Sequence, residues 1–130
     1  MIVLDASVVV ELLTNGRLAD SIERDLIGRG ESFIAPHLLD VEVASALRAL
    51  AATRQIDSHR VGQFLEGLAT LPAVRYAHTP LLDRIWELRH NFTAYDAAYI
   101  ALAEATNSVL YTTDGKLSKG HRARVAVFAE

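Results

Sequence analysis

The sequence predicts an α/β fold: a central, mostly parallel sheet flanked by helices in three layers, formed as one domain over residues 1–130. Three observations carry this. Short aliphatic runs recur along the chain, and a run without alternation is what a strand covered on both faces requires. Segments of helical periodicity separate those runs, which is the pattern of βαβ units. The first run, Ile2-Val3-Leu4, stops at Asp5, so a buried strand delivers an acid to its tip.

Taken in order, Ser7 is a plausible N-cap for a helix through Thr14, stopped at Asn15-Gly16. Leu18, Ile22, Leu26 and Ile27 recur at helical spacing, closed by Gly28 and Gly30. Ser32 to Ala35 reads as a short strand, and Pro36 suits the first turn of a helix running from His37 to about Ala52. Asp57 and Ser58 cap a helix from about His59 to Ala69, with Val61, Phe64, Leu65 and Leu68 on one face. Pro72 breaks the chain before a strand at Val74 to Tyr76, and Thr79-Pro80 restarts a helix through Leu88. Thr93 caps an alanine-rich helix from Ala94 to Glu104, Ser108 to Thr113 is a strand leading into Asp114-Gly115, and Val125 to Phe128 is a final strand. Trp86, Phe64 and Phe92 are assigned to the core by this pattern.

Composition narrows the function. With 51% hydrophobic and 22% charged residues, the chain reads as an ordinary globular domain. No apolar run approaches the ~18 residues of a membrane span, and Met1 leads directly into a strand, so a cytoplasmic protein is expected. The absence of cysteine excludes disulfides and thiolate metal sites, and the five histidines show no ligand spacing. A net charge of -3 argues against a generic basic nucleic-acid binder.

Four acids stand out of place. Asp5 and Asp114 terminate apolar strands, whereas Glu42 and Asp96 lie early in apolar helices that follow strands or loops. Three have a plainer role open to them: Asp5 as a helix cap, Asp114-Gly115 as a turn, Asp96 within a capping box. Glu42 has the weakest plain reading, because an acid one or two turns into an apolar helix face is rarely buried without a partner. Together they point to one place, because parallel strands end, and the helices after them begin, at the same sheet edge. Two carboxylates ~5 Å apart repel by roughly 3 kcal/mol at an effective dielectric of 20. A shared proton or a hard divalent cation relieves this, and no basic residue adjoins any of the four in sequence. An all-oxygen site suits Mg²⁺ or Mn²⁺, and the natural chemistry is phosphodiester hydrolysis.

Met1 to Ser7, Pro36 followed by Glu42, Tyr95 to Ala103, and Leu110 to Asp114 together resemble the PIN-domain ribonucleases, specifically the VapC-type toxins of toxin-antitoxin pairs. The resemblance covers essentially the whole chain. It implies a PIN-like fold and a Mg²⁺- or Mn²⁺-dependent endoribonuclease that acts on structured RNA such as tRNA or rRNA. By position, Asp5, Glu42, Asp96 and Asp114 match the metal-binding acidic quartet, and Ser7 and Thr112 match its supporting hydroxyl residues. The family also implies a homodimer, a cognate VapB-like antitoxin, and a heterotetramer or larger assembly with it.

Lys116, Lys119, His121, Arg122 and Arg124 follow Asp114 and are candidates for RNA phosphate contact, of which Lys116, Lys119 and Arg122 are carried forward. Arg84, Arg89 and His90 make a weaker case, and a solvated surface accounts for either group equally well. The apolar faces of Leu12, Leu13, Leu18, Ile22 and Leu26 suit either the core or an antitoxin groove or dimer contact. Two rivals remain: a PIN fold kept only for binding, and a receiver-like phosphoacceptor domain. The second wants an acidic pair near the amino terminus and a lysine after a late strand, which Asp5 and Lys116 match poorly.

Overall fold

A computed structural model describes residues 1–130. Its five strands are β1 (Ile2–Leu4), β2 (Phe33–Pro36), β3 (Ala73–Tyr76), β4 (Val109–Thr112) and β5 (Arg124–Val127). Six helices accompany them: α1 (Ala6–Thr14), α2 (Ala19–Arg29), α3 (Leu38–Ala52), α4 (Val61–Ala69), α5 (Leu82–Glu87) and α6 (Ala94–Thr106). The sheet order is β3-β2-β1-β4-β5 and every pairing is parallel, so the expected mostly parallel sheet is wholly parallel.

β1 sits at the centre, with Ile2 opposite both Phe33 and Val109. From β1 the chain steps outward to β2 and β3, then returns to place β4 on the other side. The order therefore reverses beside β1, and the carboxyl ends of β1 and β4 flank the resulting crevice, where open α/β sheets bind ligands.

Burial explains why these segments pair. Ile2, Val3 and Leu4 are fully buried, as a central strand covered on both faces requires. Helix α1 packs on α2, α3 and α4, while α6 lies across β1, β2 and β4 with α5 against it. Seven successive residues of α6, Ala97 to Ala103, are buried, and its alanines let the helix lie close on the sheet. The Tyr111 hydroxyl donates to Asp25 beneath the Arg29 guanidinium, which ties α2 to β4. No helix is long and apolar enough to cross a membrane.

Four local expectations are corrected. Helix α1 starts at Ala6, so Asp5 rather than Ser7 occupies the N-cap position, with extended backbone (φ -71°, ψ 153°). Pro36 is the last residue of β2, in register with Tyr76, rather than the first turn of α3. Thr79 to Leu81 forms a short 3-10 turn before α5, which ends at Glu87. Trp86, expected in the core, is 66% exposed, with the Arg89 guanidinium 4.4 Å above its ring. The six-residue α5 buries only Ile85 against α6, and its remaining apolar side chains lie outside that contact.

Candidate active site

Asp5, Glu42, Asp96 and Asp114 line one cleft of about 530 Å³. Its apolar wall is built from Val10 of α1 and Ala46, Ala49 and Leu50 of α3. The four acids arrive on different elements: the end of β1, the second turn of α3, the first turn of α6 and the loop after β4.

Asp5 is 7% exposed although it stands at a helix start, and its side chain makes no cap bond. Its carboxylate is used elsewhere. Thr112 Oγ1 donates to Asp5 Oδ2 at 2.7 Å, and Ser7 Oγ donates to the same oxygen at 2.9 Å. Each hydroxyl also accepts a backbone amide from the β4 loop: Asp114 N donates to Thr112 Oγ1 at 3.0 Å, and Thr113 N to Ser7 Oγ at 3.0 Å. The two hydroxyls thus bridge the ends of β1 and β4 and leave Asp5 Oδ1 without a side-chain partner.

Asp114 also accepts from the Lys116 amide at 2.9 Å, the turn geometry of an Asp-Gly pair. Thr93 caps α6 by accepting from the Asp96 amide at 3.1 Å, which fixes the turn that carries Asp96. Glu42 is half-buried, and its Oε1 has no hydrogen-bond partner. Beside it lies Tyr99 of α6, fully buried, whose hydroxyl also lacks one.

The electrostatics agree with the crowding. Burial pushes the Asp5 carboxyl above the usual range; hydrogen bonds from Thr112 and Ser7 oppose this, and Asp114 adds to it. Burial likewise raises Glu42, with Tyr99 opposing and Asp5 and Asp96 reinforcing. Asp96 is raised by burial and by Asp5 and Asp114, against Thr93 and the positive charge of Lys116.

As the side chains stand, no three of them form a group that would hold a metal ion. The donor set nonetheless fits one. It is all oxygen, its members repel one another, and Asp5 Oδ1 and the buried Glu42 Oε1 are among the carboxylate oxygens free of side-chain partners. Small rotations of partly exposed carboxylates are cheap beside the repulsion a cation removes.

Of the basic candidates, Lys116 neighbours the acids and is exposed, as is Lys119. Arg122 lies elsewhere: its amide donates to Glu104 at 2.8 Å and its guanidinium stands 3.5 Å from that carboxylate. Glu104 is eight residues beyond Asp96 along α6, roughly 12 Å at 1.5 Å per residue. His121 is taken up locally, with Nε2 2.6 Å from the Leu117 carbonyl and Nδ1 accepting from Ala123 N. A larger hollow of about 710 Å³ opens beside Glu104, lined by Arg84, Arg122 and Arg124. Its acids and arginines are largely paired with one another, so it presents no comparable unbalanced charge.

Sequence reasoning passed over Tyr99 as a site residue. The available signal was its position three residues after Asp96, on the same helical face.

The family model described as PIN domain matches residues 2–122. The chain is 41% identical over 127 residues to the VapC ribonuclease Mb0985 of Mycobacterium bovis, covering 98% of this chain and 96% of that protein. Its fold is similar to the crystal structure of PAE2754 from Pyrobaculum aerophilum, with a TM-score of 0.72 at 23% identity over 95% of this chain and 81% of that one. It is similar also to VapBC2 from Rickettsia felis, solved bound to a DNA fragment from their promoter, with a TM-score of 0.71 at 14% identity over 99% and 100% of the two chains.

Proposed function

Because the chain belongs to the PIN-domain family, among the VapC ribonucleases, we propose that it is a divalent-metal-dependent endoribonuclease, the toxin of a VapBC-like pair. The observation that carries this reading is the gathering of Asp5, Glu42, Asp96 and Asp114 from four separate segments around one cleft. Mg²⁺ or Mn²⁺ is the cation that suits such oxygen donors.

Asp5, Asp96 and Asp114 would hold the ion, with Glu42 completing the set. A cation bound there supplies positive charge that polarises the phosphoryl oxygens and makes a nearby water easier to ionise. The residues themselves do the rest. Thr112 and Ser7 orient Asp5 and oppose the rise that its burial imposes, since hydrogen bonds to a carboxylate favour the charged form. Glu42, with Oε1 unpartnered, would complete the ligand set or orient the attacking water. Lys116 and Lys119 draw the RNA phosphates toward the acids, and the placement of Arg122 beside Glu104 restricts it to RNA remote from the scissile bond.

Structured RNA such as tRNA or rRNA is the substrate class in this reading. A homodimer, neutralised by a VapB-like antitoxin in a cytoplasmic complex, is its setting. The test is cleavage of total RNA by purified protein and by Asp5→Ala and Asp96→Ala, with Mn²⁺ or with EDTA, beside growth on induction. Both variants should lose cleavage and growth arrest; cleavage that persists in metal-free buffer refutes the reading.

A further inference from the structure

We propose that Tyr99 is a positioning residue of this site, its hydroxyl donating to the Glu42 carboxylate and holding it toward the other three acids; this deepens, and rests on, the metal-dependent reading above. Tyr99 is 0% exposed and lies one turn beyond Asp96 on α6. Three buried side-chain atoms in the protein lack a hydrogen-bond partner, and two of them are the Tyr99 hydroxyl and Glu42 Oε1. The two residues are neighbours across the α3–α6 boundary, with Asp5 and the Ala6 backbone also close to the hydroxyl.

An unpaired buried phenol is costly and calls for a reason, because phenylalanine would bury the same ring without the oxygen. Here the reason is chemical. Glu42 needs a donor, yet a lysine or arginine would cancel the negative charge that makes the site attract a cation. A phenol donates without adding charge, and its burial keeps water from taking its place. An ordinary phenol keeps its proton at neutral pH, so it serves there as a donor.

The deciding experiment is Tyr99→Phe in the full chain, with Mn²⁺ binding measured by calorimetry and melting of the metal-free protein measured in parallel. Removing a partner that orients a ligating carboxylate should weaken Mn²⁺ on the order of 10-fold. The metal-free Tm should hold or rise, since without the ion the hydroxyl is unpartnered and its bond to Glu42 closes only when the ion draws that carboxylate into place. Unchanged Mn²⁺ affinity overturns the proposal, and so does a fall in affinity accompanied by a fall in metal-free Tm, which would make Tyr99 an ordinary core residue. Should the variant not fold, tyrosines labelled with ¹³C at Cζ in the wild-type chain decide the point. The Tyr99 signal, assigned by substituting the other three tyrosines with phenylalanine, must shift on adding Mg²⁺, and a static signal overturns the assignment. A wild-type chain that binds no Mn²⁺ overturns the ribonuclease reading itself, whereas Mn²⁺ binding indifferent to Tyr99→Phe overturns the positioning role alone.

Discussion

Thr112 Oγ1 lies 2.7 Å from Asp5 Oδ2, joining residues 107 positions apart in sequence across the β1–β4 seam. The same hydroxyl accepts the Asp114 amide, so one buried oxygen sets two acids of the quartet. Ser7 duplicates the arrangement from the α1 side.

Thr112→Val keeps the shape and removes both bonds. Cleavage should fall between about 10- and 100-fold, the usual cost of losing an outer partner of a ligating group. Stability should fall by about 1–2 kcal/mol, because the Asp114 amide loses its acceptor and Asp5 a donor. Thr112→Ser should recover most of both. Steady-state cleavage and chemical denaturation check this, and a fully active Thr112→Val would show that Asp5 needs no such support.

Three acids of the quartet hold their protons more tightly folded than unfolded. The unfolded chain then binds fewer protons, so stability of the metal-free protein should increase as pH falls from 7 toward about 5. The trend should reverse lower down, as Glu104, held down to about 2 by Arg84, loses its contribution between about 4.5 and 2. Asp96→Asn should raise the metal-free Tm at pH 7 while abolishing cleavage. Melting curves across pH in EDTA test this; a Tm that falls steadily from pH 7 to 5 contradicts it.

Arg84 grips Glu104 with two bonds, Nε to Oε1 at 2.7 Å and Nη2 to Oε2 at 3.0 Å, and the Glu104 side chain is only 8% exposed. Arg84→Ala leaves that carboxylate short of its main partner, and about 2 kcal/mol of stability should be lost. Arg84→Lys should restore only part, since an ammonium cannot form the paired bonds. Cleavage by the folded fraction should not change, because Glu104 sits about two turns of helix from Asp96. An unaltered denaturation midpoint would mean that the pair is worth no more than an exposed surface bridge.

Aliphatic runs and helical spacing were sufficient to read the α/β architecture and its elements from the chain, because burial imposes those periods directly. The convergence of the four acids on one cleft was legible for a related reason: each stands in or at the end of an apolar segment, and strand ends and the helix starts that follow them share one sheet edge. That reasoning stopped where one segment's fate depends on another. Ser7 reads as a cap, yet its hydroxyl is claimed by Asp5 and Thr113. Trp86 reads as core, yet α5 is too short to bury more than Ile85 against α6.

What the sequence alone determined, then, is which segments are strands and helices and which acids are anomalous in them. Only the tertiary structure decided that Thr112 meets Asp5, that Arg122 turns to Glu104, and that the Tyr99 hydroxyl lies unpaired beside Glu42. The reason is physical: periodicity records how much of a segment is buried, whereas a hydrogen bond between distant residues is set by sheet order, which no single segment encodes.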